Sequence, residues 1–520
     1  ARRNAFSGGP CRGPSPSSPK ERMGNPAGIP SAFLHSAALS SMTCKAELVS
    51  NGTHVRIRGR TRHANRMRRW ATKPGSWVVP ADVACEPGWC KRHGVEPIPA
   101  QIAALARRAP KEPSAIEMPI GGLYPYQKEA IRTIVGTLGG RCLLADEMGL
   151  GKTRQAIAFI AHYGQPALVI CPAFLQHNWA RELDDLGVAA EVMSFDAARR
   201  RPPALPWRAI VVDEAHYIKE RQSLRAQAIV PLLHECDHVL LCTGTPCPSR
   251  PAELYTLMHA LRPAIVPSFT QFAIRYCNAR KTRFTHFDTN GASNKEELAW
   301  LMRRAFMVRR TKDQVLGQLP KKTQGVVNVP CDPEHINAID ELQEKFEDAL
   351  ETAAGHEAKC AISELFRVTC DAKLRATVQY AEHRARTSTA GCVVVFAHHQ
   401  KMLDAMQEAM DGMNVVRIDG KTTMKARAAA VEQIQARGAD VALLSMGAAG
   451  VGLTMTACSQ VIFAELPWTP STLRQCEDRV HRIGQTRACG VTYVLCDNTL
   501  DTRVWKKLYQ KEKTTNKVLL

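Results

Sequence analysis

The 520-residue sequence has no apolar run long enough to cross a membrane. Residues 441–461 form a long uncharged stretch, but Gly447, Gly450 and Gly452 interrupt it. A membrane-spanning helix needs about 20 consecutive, predominantly apolar residues, so a strand followed by a loop explains this stretch better. The sequence therefore predicts no transmembrane segment and no membrane partner.

No Cys-x-x-Cys pair occurs among the 18 cysteines. Most of them, such as Cys171 and Cys392, lie within apolar runs, which is typical of small buried side chains in a reducing compartment. Cys85 and Cys90 lie close together without a second matching pair of ligands. The pattern therefore favours free thiols and leaves a zinc site at that pair as the weaker alternative.

Acidic residues are scarce at the N-terminal end. Residues 1–115 carry 19 Lys and Arg against 6 Asp and Glu, which places +13 of the net charge of +20 there. A basic segment of this kind favours a polyanionic partner, with nucleic acid first, although a solvated basic tail has the same composition. The first thirty residues are rich in Arg, Ser, Pro and Gly, which is typical of a disordered tail or, as a second alternative, an organelle transit peptide.

The rest of the chain is interpreted around residues 143–153. A short apolar strand end leads into a glycine-punctuated turn and then a helix-like segment. Glycines let backbone N–H groups approach an anion, and the helix N-terminus adds positive charge. This order predicts a phosphate-binding loop, with Lys152 on the β- and γ-phosphates of ATP and Thr153 on Mg²⁺, although Asp146 replaces the first glycine of the strict pattern. The candidate nucleotide-binding residues are Asp146, Glu147, Met148, Gly149, Leu150, Gly151, Lys152 and Thr153.

Two carboxylates follow a second buried strand at residues 209–212. Asp213 is placed to hold Mg²⁺, and Glu214 to polarise the attacking water, although a helix cap is the structural alternative. Upstream of the phosphate loop, Tyr126 and Gln127 precede a helix. We interpret them as a grip on the adenine ring, by stacking and by paired hydrogen bonds.

The α/β pattern resumes at Gly391, and this second segment has no phosphate loop of its own. Arg479 and Arg482 lie three residues apart, so they are expected to share one helical face. Two guanidinium groups arranged in this way suit a phosphate across an interface, whereas plain surface arginines are the alternative. We interpret the pair as arginine fingers for the first segment. Further candidates on the nucleotide side are Gly450, Gly452 and Gln475.

The pattern of strands and helices predicts an α/β fold with two parallel sheets, helical insertions and a small basic N-terminal α+β unit. That unit has alternating strands at 47–49 and 54–58, a basic helix at 61–70 and an edge strand at 77–80. The expected organisation is a disordered basic tail at 1–43, a basic module at 44–96, a linker with one short helix at 97–119, a first lobe with the ATP site at 120–325, a helical insertion at 326–386 and a second lobe at 387–520.

Together these blocks resemble the ATPase motor of the SWI/SNF type within helicase superfamily two, from about residue 123 to residue 519. In that family an Asp at the first position of the phosphate loop is usual. The resemblance implies two RecA-like lobes with ATP and Mg²⁺ between them, and phosphate-backbone contacts to DNA at 172–174, 420–422 and 450–454. The blocks that carry the resemblance are residues 146–153, 213–216, 309–312 with 319–320, and 475–485.

Finer features resemble the annealing-helicase branch, the HARP-domain ATPases that remodel replication forks. These features are residues 249–255, 275–277, 396–399 and 463–466, and the basic unit at 47–80 is faintly similar to a HARP domain. The branch implies translocation on branched or forked DNA in the nucleus, with an organelle as the alternative. Single-strand-binding or replication proteins are implied partners for which the sequence shows no clear motif. A chromatin or protein–DNA complex remodeller with the same motor, and a non-catalytic ATP-binding scaffold, are the rival hypotheses.

Overall fold

The computed structural model describes residues 44–519, and the tail expected at 1–43 and most of the helix expected at 61–70 lie outside the described residues. Within the part that is described, no helix is long and apolar enough to cross a membrane. The gaps are residues 50–51, 59–66, 68, 70, 74–75, 87, 94, 97, 110–111, 114, 202, 204–205, 248–249, 281–286, 316, 318, 352–354, 390 and 450–452.

Five short strands form an N-terminal sheet in the order β3-β4-β2-β1-β5. The first two pair antiparallel, as the sequence predicts, and their alternating apolar residues are buried. The strand expected at an edge is instead internal, because β3 pairs with its outer side. The elements are β1 (Cys44–Val49), β2 (His54–Arg58), β3 (Ala71–Lys73), β4 (Ser76–Pro80), α1 (Ala81–Ala84), α2 (Trp89–His93), β5 (Val95–Glu96) and α3 (Ala100–Arg107).

The segment expected to be a linker at 97–119 is partly packed into the N-terminal unit. Its helix α3 forms where the sequence predicts one, but Ile102 and Ala103 are buried in the same apolar cluster as Leu48 and Trp77. Because these side chains leave water on packing, the first part of the segment is part of the unit rather than a free connection.

A six-stranded parallel sheet follows, in the order β11-β6-β10-β9-β7-β8. Its central strands are apolar and buried except at some of their end residues, as expected for a sheet covered by helices on both faces. The elements are α4 (Pro125–Arg132) with a π-turn at Thr133–Thr137, β6 (Arg141–Leu144), α5 (Lys152–Tyr163), β7 (Ala167–Cys171), α6 (Gln176–Asp185), β8 (Glu191–Ser194), α7 (Phe195–Arg200), β9 (Ala209–Asp213), α8 (Leu224–Glu235), β10 (His238–Cys242), α9 (Leu254–Leu261), α10 (Phe269–Tyr276), α11 (Lys295–Ala305), β11 (Met307–Val308) and α12 (Lys312–Val315).

A second six-stranded parallel sheet has the order β12-β17-β16-β13-β15-β14. Two parallel sheets with covering helices confirm the predicted fold class. The elements are β12 (Lys322–Val329), α13 (Ile336–Glu351), α14 (Gly355–Arg386), β13 (Val393–Ala397), α15 (Gln400–Ala409), β14 (Val415–Ile418), α16 (Met424–Gln435), β15 (Val441–Ser445), α17 (Met446–Ala449), β16 (Gln460–Phe463), α18 (Pro470–Glu477), β17 (Cys489–Cys496) and α19 (Leu500–Leu519).

The second lobe begins earlier than the sequence suggested. β12 crosses the expected boundary at 325 and pairs with β17 along its whole length. Helix α14 is held to the same lobe by Lys373, whose Nζ lies 2.7 Å from Asp501 Oδ2 and 3.0 Å from the carbonyl oxygen of Val494. The helices expected as an insertion at 326–386 are therefore part of this lobe. The edge strand β12 escaped detection because most of its side chains are exposed, so its alternation is weak.

The N-terminal sheet docks on the first lobe through a buried carboxylate. Glu297 on α11 is fully buried, and both its oxygens accept from Arg275 at 2.6 Å. It also accepts from the Tyr276 hydroxyl at 2.7 Å and from the backbone N–H of Leu48 on β1 at 3.0 Å. Arg275 in turn donates to the carbonyl oxygen of Ala46 at 3.0 Å. One ion pair therefore joins the edge of β1 to two helices of the first lobe.

We expect Glu297→Gln to destabilise this junction by about 3–5 kcal/mol, because it leaves the Arg275 charge buried without its partner. The matched control is Glu296→Gln, which removes the half-exposed pair with Arg56 and should cost about 0–1 kcal/mol. Urea unfolding of the full chain, followed by circular dichroism, measures the difference. Equal midpoints for the two variants would contradict the assigned role of Glu297.

Candidate active site

The loop between β6 and α5 is a cradle of backbone amides. Gly149 and Gly151 have φ angles of 84° and 70°, in the left-handed region that glycine adopts without strain. A Cβ at Gly151 would lie 2.5 Å from Nε2 of Gln127, and one at Gly149 would lie 2.9 Å from Cβ of Arg482. Both positions thus exclude a side chain. The loop ends at the N-terminus of α5, where free N–H groups and the helix dipole favour an anion.

The ammonium group of Lys152 is held by this loop. Its Nζ donates to the carbonyl oxygens of Asp146 at 2.9 Å and Glu147 at 3.4 Å. The charge of Lys152 also acts to lower the pKa of Asp213, so the lysine and the acid lie at one site. Thr153 follows in the first turn of α5. The glycine conformations, the lysine and the helix N-terminus fit the requirements of a bound triphosphate.

The side chain of Asp146, one of the candidate nucleotide-binding residues, is bonded away from Lys152. Its carboxylate is fully buried and accepts from Arg310, with Oδ2 2.6 Å from Nη2 and Oδ1 3.0 Å from the backbone N–H. Gln155 donates to the same carboxylate at 3.0 Å. Because both oxygens are occupied, the side chain fixes the loop against residues 309–312, and only the Asp146 backbone faces Lys152. The sequence contained the block at 309–312 without showing what it binds.

Tyr126 and Gln127 lie against the back of the phosphate loop. The Tyr126 hydroxyl and the Gln127 amide each donate to the carbonyl oxygen of Leu150 at 3.1 Å. Oε1 of Gln127 accepts from the backbone N–H of Tyr124 at 2.9 Å, and the Arg310 guanidinium lies 5.3 Å from the Tyr126 ring centroid. These contacts position the loop, and the grip on an adenine ring stays a prediction.

Asp213 stands at the carboxyl end of β9 beside the loop. Its Oδ2 accepts from Nε1 of the buried Trp179 at 2.9 Å, and its Oδ1 from the backbone N–H of Glu214 at 2.9 Å. Burial and the neighbouring carboxylate of Glu214 raise the pKa of Asp213 to about 6. Trp179, which sequence reasoning missed, orients the carboxylate that is a candidate ligand for Mg²⁺.

The pKa of Glu214 is shifted in the opposite direction to that of Asp213. Burial acts to raise its pKa, but His216, Lys152 and Arg479 together hold the pKa below its usual value. The backbone φ of 50° places Glu214 in the left-handed region, and its Oε2 lies 3.1 Å from Nδ1 of His216. Glu214 is therefore ionised at neutral pH, as a base that accepts a proton from water must be.

His216 connects this carboxylate to the polar turn after β10. Its Nδ1 lies 3.3 Å from Oγ1 of Thr243, which accepts from the backbone N–H of Thr245 at 3.1 Å. Oγ1 of Thr245 is buried without a hydrogen-bond partner among the described residues. The turn at 243–245 is therefore joined to Glu214 through His216.

The affinity for Mg²⁺–ADP is expected to fall as the pH drops below about 6, the pKa of Asp213. Above that pH the carboxylate is ionised and able to hold Mg²⁺, and below it the affinity should fall about tenfold per pH unit. Calorimetric titrations across this range test the expectation. Asp213→Asn is the control, because it should bind weakly without this pH dependence. A wild-type affinity that stays flat through pH 6 would contradict the role of Asp213.

The two arginines of the second lobe meet the first lobe at the phosphate loop. Arg482 packs with its Cβ against Gly149, and its Nη1 donates to Oγ1 of Thr454 at 2.9 Å. Arg479 is buried and lies close enough to Glu214 for the two charges to interact. Burial lowers the pKa of both arginines, yet guanidinium groups stay charged in proteins. The structure thus brings Lys152, Glu214 and both arginines together.

The arginines do not share a helical face, which corrects the expectation from their spacing. α18 ends at Glu477, and residues 478–484 form turns and bends. The turns are fixed by Lys312 of the first lobe, which is buried and lies 2.5 Å from Asp478. Lys312 also donates to the carbonyl oxygen of His481. A pairing across the lobes therefore sets the arginine positions, and sequence spacing alone contained no signal for it.

The other residues predicted to bind nucleotide do not all lie at the phosphate loop. Oε2 of Glu147 accepts from the backbone N–H of Lys312 at 2.8 Å, which ties the loop to α12. Met148 lies beside a cavity of about 510 Å³ between the lobes. Gln475 lies partly exposed on α18, while Gly450 and Gly452 lie outside the described residues.

Two sequence families match this chain. The SNF2-related domain matches residues 126–187 and 191–380, and the helicase conserved C-terminal domain matches residues 372–484. The matched ranges contain the phosphate loop, both carboxylates and both arginines.

Curated relatives match the same region. The SWI/SNF-related matrix-associated actin-dependent regulator of chromatin subfamily A-like protein 1 of Xenopus laevis is 36% identical over 430 residues, covering 76% of this chain and 44% of the relative. The DNA annealing helicase and endonuclease ZRANB3 of Mus musculus is 34% identical over 446 residues, covering 76% of this chain and 41% of the relative. The chain thus spans less than half the length of these relatives. The SWI2/SNF2 ATPase core of Sulfolobus solfataricus in complex with double-stranded DNA aligns at 22% identity with a TM-score of 0.37, over 79% of this chain and 95% of that chain.

Proposed function

Because this chain belongs to the SNF2-related family, as the sequence resemblance predicted, we propose that it is an ATP-dependent DNA translocase. Its two lobes hydrolyse ATP in the cleft between them. The observation that carries the proposal is the meeting of charges from both lobes: Lys152 and Glu214 lie on one side, and Arg479 and Arg482 approach from the other. A phosphate loop alone can bind a nucleotide. Charged groups from both lobes can also couple hydrolysis of the nucleotide to movement of the lobes.

Each residue has one role in this mechanism. Lys152 and the loop N–H groups bind the β- and γ-phosphates once the ammonium group leaves its carbonyl partners. Thr153 and Asp213 hold Mg²⁺, which neutralises phosphate charge when bound. Glu214 accepts a proton from the attacking water, and Arg479 and Arg482 stabilise the charge that develops on the transferred phosphoryl group.

The contacts around the loop suggest how nucleotide moves the lobes. Arg482 packs directly on Gly149, and Lys312 bonds to Asp478 across the lobes. A triphosphate bound at Lys152 attracts the guanidinium groups of Arg479 and Arg482 to its γ-phosphate, so the direct contact of Arg482 with Gly149 is exchanged for a contact through the phosphate. Hydrolysis and release restore the contact, and repetition of this cycle moves DNA held by both lobes.

The expected substrate is DNA that the chain contacts through the phosphate backbone. The DNA contacts predicted at 172–174, 420–422 and 450–454 are with the phosphate backbone, so binding should be largely independent of sequence and sensitive to salt. Residues 450–452 lie outside the described residues. One relative is named a DNA annealing helicase, and the basic charge of residues 1–115 suits a polyanion. We therefore propose rewinding of branched or forked DNA, in the nucleus, with single-strand-binding or replication proteins as partners.

The test compares ATP hydrolysis by the full chain with forked, single-stranded, duplex and nucleosomal DNA. Forked DNA should stimulate phosphate release most, and a fluorescent strand-annealing assay should show ATP-dependent rewinding. Preferential stimulation by nucleosomes would instead favour a chromatin or protein–DNA complex remodeller. Absence of stimulation by every DNA would overturn the translocase proposal.

A further inference from the structure

Three ligand-type side chains converge on the second lobe, away from the nucleotide site. Among the residues that the structure describes, Cys370, His399 and Glu465 form the group whose potential metal-ligating atoms all lie within 4.8 Å of one another. They come from α14, from the residue before α15 and from the segment after β16. The sequence pattern offers a zinc site at Cys85 and Cys90 as an alternative, whereas this group joins residues that are far apart in sequence.

The sheet explains why these residues meet. β13 and β16 are parallel neighbours paired from Val393 with Gln460 to Phe396 with Phe463. The residues that follow each strand, His399 and Glu465, therefore emerge at the same carboxyl edge, where ligands of α/β sheets commonly bind. α14 covers this edge, since the Phe366 ring lies 5.3 Å from the ring of His399.

Glu465 is fixed as the centre of the group. It is only 3% exposed, and its Oε2 accepts from the backbone N–H groups of His398 at 2.7 Å and His399 at 2.8 Å. Its Oε1 lies 2.5 Å from Nδ1 of His399, and the ligand atoms of Cys370, His399 and Glu465 all lie within 4.8 Å of one another. A thiol and an imidazole thus both direct polar atoms at one buried carboxylate, whose orientation the backbone has already set.

We propose that Cys370, His399 and Glu465 form a zinc-binding site. Thiolate, imidazole and carboxylate are the three kinds of ligand that Zn²⁺ uses in proteins, at about 2.0–2.3 Å in a tetrahedral arrangement. Zn²⁺ takes the place of the Cys370 thiol proton, which is released to solvent, and His399 binds the metal as neutral imidazole through Nδ1 with its proton on Nε2. Water supplies the fourth ligand, because His399 is partly exposed while Cys370 and Glu465 are buried.

Zinc bound at this site links two segments of the second lobe. The chain runs from Glu465 to Thr469, which caps α18, and α18 leads into the turns that carry Arg479 and Arg482. Zinc would join the long helix α14 to the start of this segment. Zinc binding at this site does not depend on the proposed translocase activity.

The test is metal titration of the full chain after chelator treatment, with Cys370→Ser and a matched control. Cys360→Ser changes an exposed cysteine on the same helix. Wild type and Cys360→Ser should compete with a chromophoric chelator for one equivalent of Zn²⁺, and bound Co²⁺ should show a thiolate charge-transfer band. Cys370→Ser should lose the band and the tight binding. Identical titrations for the two variants would overturn the proposal and leave only a hydrogen-bonded His399–Glu465 pair.

A second measurement needs no variant, and it covers the case in which Cys370→Ser fails to fold. X-ray absorption at the zinc edge of the loaded wild-type chain should show one sulfur neighbour at about 2.3 Å, with nitrogen and oxygen neighbours at about 2.0–2.2 Å. A shell without sulfur, or one with several sulfurs, would place the metal elsewhere and overturn the assignment.

Discussion

Lys152→Ala abolishes ATP hydrolysis while DNA binding persists: this is the largest effect that we expect. The Nζ of Lys152 is the cation of the phosphate loop, and it can exchange its bonds to the Asp146 and Glu147 carbonyl oxygens for phosphate oxygens. Its removal leaves the β- and γ-phosphates without that charge, so turnover should fall to background. DNA-stimulated phosphate release and a gel-shift titration with forked DNA measure the two properties separately.

Two further variants make the result specific. Glu214→Gln keeps the shape of the side chain but removes the base, so it should also abolish turnover while nucleotide still binds. Lys401→Ala removes a lysine that is 63% exposed on the second lobe, and it should hydrolyse ATP at the wild-type rate. Full turnover by Lys152→Ala or Glu214→Gln would refute the roles assigned to them.

Arg479→Ala and Arg482→Ala are each expected to slow turnover by about 10³–10⁵-fold, the range typical of arginine fingers in phosphoryl-transfer enzymes. The reason is that both guanidinium groups approach the loop from the second lobe, and Arg479 interacts with the charge of Glu214. Since the stabilised charge develops only in the transition state, kcat should fall far more than the affinity for ATP.

Single-turnover and steady-state kinetics with saturating forked DNA separate these two quantities. Arg386→Ala is the matched control, because this arginine is half-exposed on α14 and pairs with Glu382. It should leave kcat unchanged. If Arg479→Ala and Arg482→Ala raised KM alone, the arginines would be binding residues rather than fingers, and the coupling between the lobes would need another explanation.

Local sequence patterns anticipated the elements that carry the site. The apolar runs before Asp213 and Lys152 are central strands of a parallel sheet, and such strands are recognisable because both their faces are buried. The glycines of the loop were interpretable because only glycine adopts their backbone angles without strain. The prediction was wrong where the sequence pattern is weak. β12 is an edge strand with mostly exposed side chains, so the start of the second lobe was predicted too late in the chain.

The sequence by itself determined the fold class, the phosphate loop and the carboxylates that follow β9, because each depends on residues adjacent in the chain. Tertiary structure alone decided that Asp146 binds Arg310, that Lys312 holds Asp478, and that Arg479 and Arg482 lie on turns facing the loop. It also decided that Cys370, His399 and Glu465 meet. The physical reason is that buried polar groups take whichever partner packing brings within hydrogen-bond distance, and that partner often lies more than a hundred residues away.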